Sequence, residues 1–433
     1  MTTLPAAPAS MAARLLGAAP SISASVLCAP AFTLSLLPSL LPRPAIVQGV
    51  LSGLLIAAAL GGAGLLARRE RRLVPASSAL ALRWSVLSVA TGLGIAALLV
   101  GDLWLRQDRG AVGLAPSDEL YWPLALAAAA LTCALLVAVG RGLRWLLRRA
   151  TTRRAVGGVV TCALLPLVAG ATGGGSWLTA LPYPGVNEPT LSLPSRLGAV
   201  RVYVGIDEAA TPRERAALAV RRMERRGAFD REAVVVTFPT GTGWVNMHAV
   251  HGFERGLNGD VATVAVQGGT APSWVELLVN RSAQEQSAQA VFDAVAHRLA
   301  AVPEARRPTL HLYGESLGAL LGQSVLTRDR AVAQVCSAVW AGVPGGATTD
   351  APGGLTAGPV RERVLDNPDD PVSFWSTSTA LQRPQAWPDD TPWVPGLSYA
   401  TTTLDLVAAL GTTPGHGHVY GHEQPWRLDR SCD

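Results

Sequence analysis

Five apolar runs crowd into the first 180 residues of this chain, at about Ser21–Leu41, Ile46–Ala67, Trp84–Leu105, Trp122–Leu147 and Val156–Leu178. Each reaches the roughly 20 residues that a helix needs to cross a bilayer. The first is interrupted by Pro30 and Pro38. A secretory leader is the other reading of that run, but it has no clear small-residue cleavage site and four more runs follow. The expectation is an α-helical transmembrane domain over residues 1–180, with about five spans.

Charge orients these runs. "RRERR" (Arg68–Arg72) follows the second run and "RGLRWLLRRATTRR" (Arg141–Arg154) follows the fourth. The other connections carry Arg43 alone, or arginines offset by acids. Arginine-rich loops stay on the cytoplasmic side. The amino terminus is therefore expected inside, and everything after the fifth run on the outer face of the cytoplasmic membrane. Trp84, Trp104, Tyr121, Trp122, Trp145 and Trp177 sit near run ends, where interfacial aromatics gather. No Asp, Glu or His lies mid-run, so nothing marks an ion path or proton relay. The net charge of +5 lies largely beside these runs, which reads as membrane topology and not as nucleic-acid binding. The five cysteines show no metal-ligand spacing. Cys28, Cys133 and Cys162 lie in apolar runs, and Cys336 and Cys432 can pair only in an oxidising compartment.

The remainder has the composition of a soluble domain. "LPYPGVNEPTLSLPS" (Leu181–Ser195) reads as a linker. Over 196–433, strand-like runs Ala199–Gly205, Ala233–Phe238, Val261–Gln267, Thr309–Gly314, Cys336–Gly342 and Val360–Asn367 are separated by helical patterns. One helix starts with the cap Thr211 and Pro212, and another covers Ser282–Val302. Strands alternating with helices predict an α/β domain with a mostly parallel sheet covered on both faces.

"TLHLYGESLGALLGQ" places G-E-S-L-G between a strand and a helix. Such an elbow lifts its serine above the carboxyl ends of the strands, and the flanking glycines leave room for it. Ser316 is the candidate nucleophile, against a turn serine that merely caps its helix. The elbow predicts an acid and then a histidine further along. Asp366, Asp369 and Asp370 follow the last strand, and Asp370 is preferred at the D-P-V boundary. "TTPGHGHVYGHEQPW" supplies His416, His418 and His422 as competing bases. That triplet, and the pair His248 and His251, also raise a metal reading, but the H-E-x-x-H spacing is missing. The oxyanion hole needs backbone N–H groups. Leu317 offers one, and "FPTGTGWVN" offers Thr240, Gly241, Thr242 and Gly243 at the loop two strands before the elbow. A phosphate cradle is disfavoured there because no G-K-[ST] follows.

Seven ordered motifs then stand together: "LSLLPSLLPRPAIVQGVLSGL", "PTGTGWVN", "GDVATVAVQ", "PSWVELLVN", "GESLGA", "NPDDPVSFW" and "GHGHVYG". They resemble the membrane-anchored α/β-hydrolase family of actinobacteria and related bacteria, over most of the chain. The resemblance implies an α/β-hydrolase fold with Ser316 as nucleophile and Asp370 as acid. It favours His418 over His416 as base, because His418 stands five residues before Glu423 in "HVYGHEQP". His416 and Asp369 remain the alternative base and acid. The chain departs from the family's pattern at Val266–Trp274, beside the oxyanion loop.

The expected activity is a membrane-anchored serine hydrolase cleaving carboxylic esters or thioesters. It works without a metal or organic cofactor. Its expected partners are the lipid bilayer and a small-molecule or lipid ester, with no nucleic acid and the oligomeric state left open. Two rivals remain. One is an acyltransferase that passes the acyl group to an envelope lipid, and the other a catalytically silent scaffold or sensor.

Overall fold

The computed structural model describes residues 20–73, 76–149, 190–328, 335–345 and 360–430. The chain divides into two compact units, Met1–Ala171 and Thr172–Asp433. The first contains the helices α1 (Ile22–Ser35), α2 (Ala45–Leu73), α3 (Ala76–Ala111) and α4 (Tyr121–Arg149).

Among the described residues, three helices are long and apolar enough to cross a membrane, over Ala45–Leu66, Leu80–Ala111 and Tyr121–Trp145. These are the second, third and fourth runs. The first run departs from expectation: α1 has 14 residues and ends at Ser35. At 1.5 Å per residue it is about 21 Å long, short of a roughly 30 Å hydrocarbon core. Pro38, Pro42 and Pro44 explain why the helix does not extend, since each residue before a proline is pushed out of the helical region. The fifth run lies outside the described residues.

Small residues bring α2 and α4 into backbone contact. A Cβ on Gly49 would stand 2.3 Å from the Ala125 carbonyl oxygen, and one on Gly53 would stand 2.7 Å from that of Ala129. This small-xxx-small approach is how helices pack in lipid, where apolar burial offers no drive. Polar groups at the same end are paired internally. Gln48 Nε2 donates to the Ser35 carbonyl at 2.8 Å, Ser35 and Ser52 hydroxyls lie 2.8 Å apart, and Tyr121 Oη donates to the Arg43 carbonyl at 2.9 Å.

The second unit is built on six parallel strands: β1 (Val200–Val204), β2 (Ala233–Phe238), β3 (Val261–Val266), β4 (Thr309–Glu315), β5 (Val335–Ala341) and β6 (Arg361–Leu365). Their order is β1-β3-β2-β4-β5-β6. The helices are α5 (Pro212–Arg225), α6 (Met247–Gly256), α7 (Ser273–Val279), α8 (Arg281–Ala300), α9 (Leu317–Arg328), α10 (Pro371–Phe374) and α11 (Leu397–Asp405). All six expected strands form, and the fold is the α/β architecture read from the alternation. Thr211 caps α5 through its side chain, with Pro212 in the first turn.

Strand side chains alternate between two cores, as the pleat requires. Val234, Val236, Leu310 and Leu312 pack with Ala216, Val291 and Leu321 from α5, α8 and α9. Val235, Ala265 and Tyr313 face the other way, onto Val250 and Phe253 of α6 and onto Trp426. Both faces are covered, which is why β2 and β3 read as unbroken apolar runs. The exposed edge β1 is closed by arginines: Arg222 donates to the Tyr203 carbonyl at 2.8 Å and Arg226 to that of Arg201. Pairing edge carbonyls in this way blocks strand addition. A buried bidentate pair, Arg201 to Glu254 at 2.6 and 2.8 Å, ties β1 to α6.

Most of the expected linker lies outside the described residues. Its end is packed: Leu191 is buried in the α6-side core and Ser195 donates to Glu254 at 3.0 Å. Cys336 is disulfide-bonded, and Cys432, the partner considered for it, lies outside the described residues.

Candidate active site

β4 ends at Glu315, α9 begins at Leu317, and between them Ser316 holds φ +57°. A left-handed serine is strained and must be held by its surroundings. Two glycines make the turn possible. A Cβ on Gly314 would lie 2.4 Å from the Gly318 carbonyl, and one on Gly318 only 2.0 Å from the Phe238 carbonyl oxygen. Ser316 N donates to Ala341 O at 2.8 Å, which pins the elbow to the end of β5. Among the described residues no hydrogen bond engages Ser316 Oγ, so the hydroxyl is not spent capping α9.

The imidazole of His418 arrives from the other direction. Its Nδ1 stands 2.7 Å from Asp370 Oδ2. Asp370 is fully buried and caps α10, accepting from Val372 N at 2.8 Å through Oδ1. Tyr420 Oη donates to Asp370 Oδ2 at 2.6 Å. Nε2 of His418 is buried and makes no hydrogen bond among the described residues. The ring lies on Gly342, where a Cβ would stand 2.5 Å from His418 Cε1. Gly342 follows Ala341, whose carbonyl holds the Ser316 amide, so the serine elbow and the imidazole are both held at the end of β5, without a hydrogen bond between Ser316 Oγ and His418 Nε2 among the described residues. Burial pushes the His418 pKa down. The Asp370 carboxylate outweighs this through its charge and hydrogen bond, aided by Glu315 and Asp366, so the ring stays above its ordinary value.

The histidine loop is fastened by residues that spacing did not single out. Asn367 Nδ2 donates to the carbonyls of Gly417 and Val419 at 2.9 and 3.2 Å, and Gln424 Nε2 donates to Asn367 Oδ1 at 2.8 Å. The alternative base and acid also form a pair, with His416 Nδ1 2.8 Å from Asp369 Oδ2. The second Asp369 oxygen accepts from Gly417 N at 2.9 Å. His416 is more exposed than His418, so this pair fastens the loop's outer side. His422 is exposed, 3.8 Å from Glu423, and its ring centroid is 6.2 Å from that of His248. The three histidines thus have three separate acidic neighbours and do not converge. Asp366 accepts from Ser373 Oγ at 2.9 Å, and burial raises its carboxyl to about 6.

The oxyanion loop narrows. Thr240 N donates to Trp244 O at 3.0 Å, Gly243 N to Thr240 O at 2.8 Å, and Gly241 N to Ser273 Oγ at 3.2 Å. Those three N–H groups, expected as donors to substrate, are already committed to holding the loop's shape. Of the expected set, Thr242 N has no partner among the described residues, and Leu317 N, at the first position of α9, has no intrahelical acceptor. Tyr203 Oη donates to Gly243 O at 3.1 Å and Gln267 Nε2 to Thr242 O at 3.0 Å, so two neighbouring strands brace the loop. The Val266–Trp274 segment does form its wall, since a Cβ on Gly241 would lie 2.6 Å from Ala271 O.

Glu315, Asn246, Asn367 and Tyr420 are the participants that motif spacing missed. Asn246 was readable as a helix cap; nothing local announces its other contacts.

A family model described as the alpha/beta-hydrolase family matches residues 200–352 and 348–429, and one described as that family's N-terminus matches residues 36–175. Neither a curated relative nor a solved structure matches the chain. With both the sheet-borne unit and the helical unit matched in order, this chain belongs to the alpha/beta-hydrolase family.

Proposed function

We propose that the chain is a membrane-anchored serine hydrolase acting on carboxylic esters or thioesters of lipid-like or other apolar substrates. The observation that carries this is His418: its Nδ1 is engaged by buried Asp370, its Nε2 is unengaged among the described residues, and its ring packs on Gly342, next to the Ala341 carbonyl that holds the Ser316 amide. In this reading Ser316 Oγ attacks the acyl carbonyl while His418 Nε2 takes its proton. Leu317 and Thr242 N–H groups stabilise the oxyanion. His418 then protonates the departing alcohol or thiol. Water, deprotonated by His418, attacks the acyl-enzyme and restores Ser316. Asp370 holds the tautomer and stabilises the imidazolium charge. The residues supply this chemistry with no cofactor.

The three apolar helices and their arginine-rich flanks support anchoring in a cytoplasmic membrane. The disulfide at Cys336 favours an oxidising compartment for the catalytic unit, and so its outer face. Tethering beside a bilayer favours apolar esters as substrates.

The test is fluorophosphonate labelling of membranes containing the wild-type chain or Ser316→Ala. Labelling of the wild type alone supports the reading. A folded wild type that resists the label points instead to a silent scaffold.

A further inference from the structure

One side chain, Asn246, joins three segments that are far apart in sequence. Glu315, buried immediately before the nucleophile, accepts through Oε2 from Tyr313 Oη at 3.0 Å and from Asn246 Nδ2 at 2.8 Å. Asn246 closes the oxyanion loop and caps α6, its Oδ1 accepting from His248 N at 2.9 Å. Its Nδ2 also donates to the Tyr420 carbonyl at 2.8 Å. An amide nitrogen has two N–H donors. One goes to the strand carrying the nucleophile, the other to the loop carrying the base. Tyr420 then turns its hydroxyl to Asp370 Oδ2, the oxygen that His418 Nδ1 contacts. The path Glu315, Asn246, Tyr420, Asp370, His418 is continuous.

Resting on the serine-hydrolase reading above, we propose that Glu315 and Asn246 are positioning residues, clasping the His418 loop to the strand that ends at the Ser316 elbow. A buried carboxyl disfavours folding unless its lone pairs are satisfied. Here both donors to Oε2 belong to residues bordering the active site. A misplacement of about 1 Å between nucleophile and base can cost on the order of a hundredfold in rate, so a clasp at this point acts directly on turnover.

The clasp also carries charge. Burial raises Glu315 to about 7, against lowering by Asn246, His418 and Tyr313, while Asp370 pushes it further up. His418 in turn faces Asp370, Glu315 and Asp366. Ionised Glu315 therefore holds the imidazole proton more tightly, and removing that charge releases it.

The experiment uses the full chain in detergent, with a short p-nitrophenyl ester over about pH 5 to 9 and fluorophosphonate labelling alongside. Glu315→Gln keeps an oxygen for Asn246 and Tyr313 but removes the charge. It is expected to move the acid limb of kcat/KM down by about half a unit to one unit. Asn246→Ala is expected to lower kcat roughly ten- to a hundredfold, with KM within about twofold. Full kcat in a folded Asn246→Ala overturns the proposal, while wild-type labelling at Ser316 keeps the hydrolase reading intact. Should Asn246→Ala not fold, Asn246→Ser, which can still cap α6 but loses both amide donors, replaces it with the same expected loss, and full kcat there overturns the proposal. An unmoved acid limb in Glu315→Gln overturns the claim that Glu315 also acts on His418 through its charge. A folded wild type that neither labels nor turns over overturns both readings.

Discussion

Asp370 and His418 are 48 positions apart and meet at 2.7 Å, with the carboxylate fully buried and shared with Tyr420. A neighbouring pair, Asp369 and His416, repeats the arrangement at 2.8 Å in a more exposed setting. The two pairs share a geometry and differ in burial. Only the inner ring lies against Gly342 beside the serine elbow.

That difference separates the two by mutation. Asp370→Asn can still cap α10 but loses the acceptor that orients the imidazole, so kcat is expected to fall about a thousandfold or more. His416→Ala and Asp369→Asn loosen the loop without removing the base, and a loss under about tenfold is expected. Ester hydrolysis by the purified chain compares the three directly, and an equal loss in all would contradict the assignment of His418.

Activity is expected to rise with pH through a midpoint above the ordinary imidazole value of 6.5, because His418 must be neutral to accept the serine proton and its pKa is raised. A kcat/KM profile reads this midpoint. Half-maximal activity below 6.5 would mean that burial, and not Asp370, dominates the ring.

Stability should run the opposite way. Glu315 rises from 4.5 to about 7 and Asp366 from 3.8 to about 6. A raised folded pKa means that the folded chain holds protons which the unfolded chain releases. The associated stabilisation is full below the unfolded values, 4.5 for Glu315 and 3.8 for Asp366, and is lost as pH rises through about 7 and about 6. The raised pKa of His418 has the same sign. The Tm of the second unit is expected to fall from mildly acidic to mildly alkaline buffer, and Glu315→Gln to flatten that slope.

Gly241→Ala would put a Cβ 2.6 Å from Ala271 O and 2.8 Å from Ser273 Cα, both of them backbone atoms that cannot swing aside. The oxyanion loop must shift, and a kcat loss on the order of a hundredfold is expected together with a lowered Tm. Retained kcat would show that the loop does not bind the developing charge.

In the helical unit, Gly49→Leu or Gly53→Leu forces α2 away from Ala125 or Ala129. Overpacking of this kind costs about 1–3 kcal/mol. Faster proteolysis of the detergent-solubilised first unit is the readout, and unchanged resistance would argue that the α2–α4 contact is not tight.

Local chemistry alone determined a good deal. Runs such as "AVVVTF" became β2, Thr211 and Pro212 opened α5, and G-E-S-L-G became a left-handed elbow at Ser316. These are decided within a few residues, by side-chain period, cap hydrogen bonds and the space glycine leaves, so a linear reading suffices. The first apolar run was misjudged in length because hydropathy counts residues while Pro38 governs where a helix stops. What only the tertiary structure decided is which groups are neighbours. Three aspartates and three histidines were available; the motifs favoured Asp370 and His418, but only folding brings those two to 2.7 Å in a buried setting and gives His416 and His422 other acidic neighbours. Four glycine-rich amides were expected to serve the oxyanion, and three are consumed by Trp244, Thr240 and Ser273. Asn246 reaches Tyr420 across 174 positions. Each of these depends on how loops from different strands converge at one end of the sheet, and a hydrogen bond made there leaves no periodic trace along the chain.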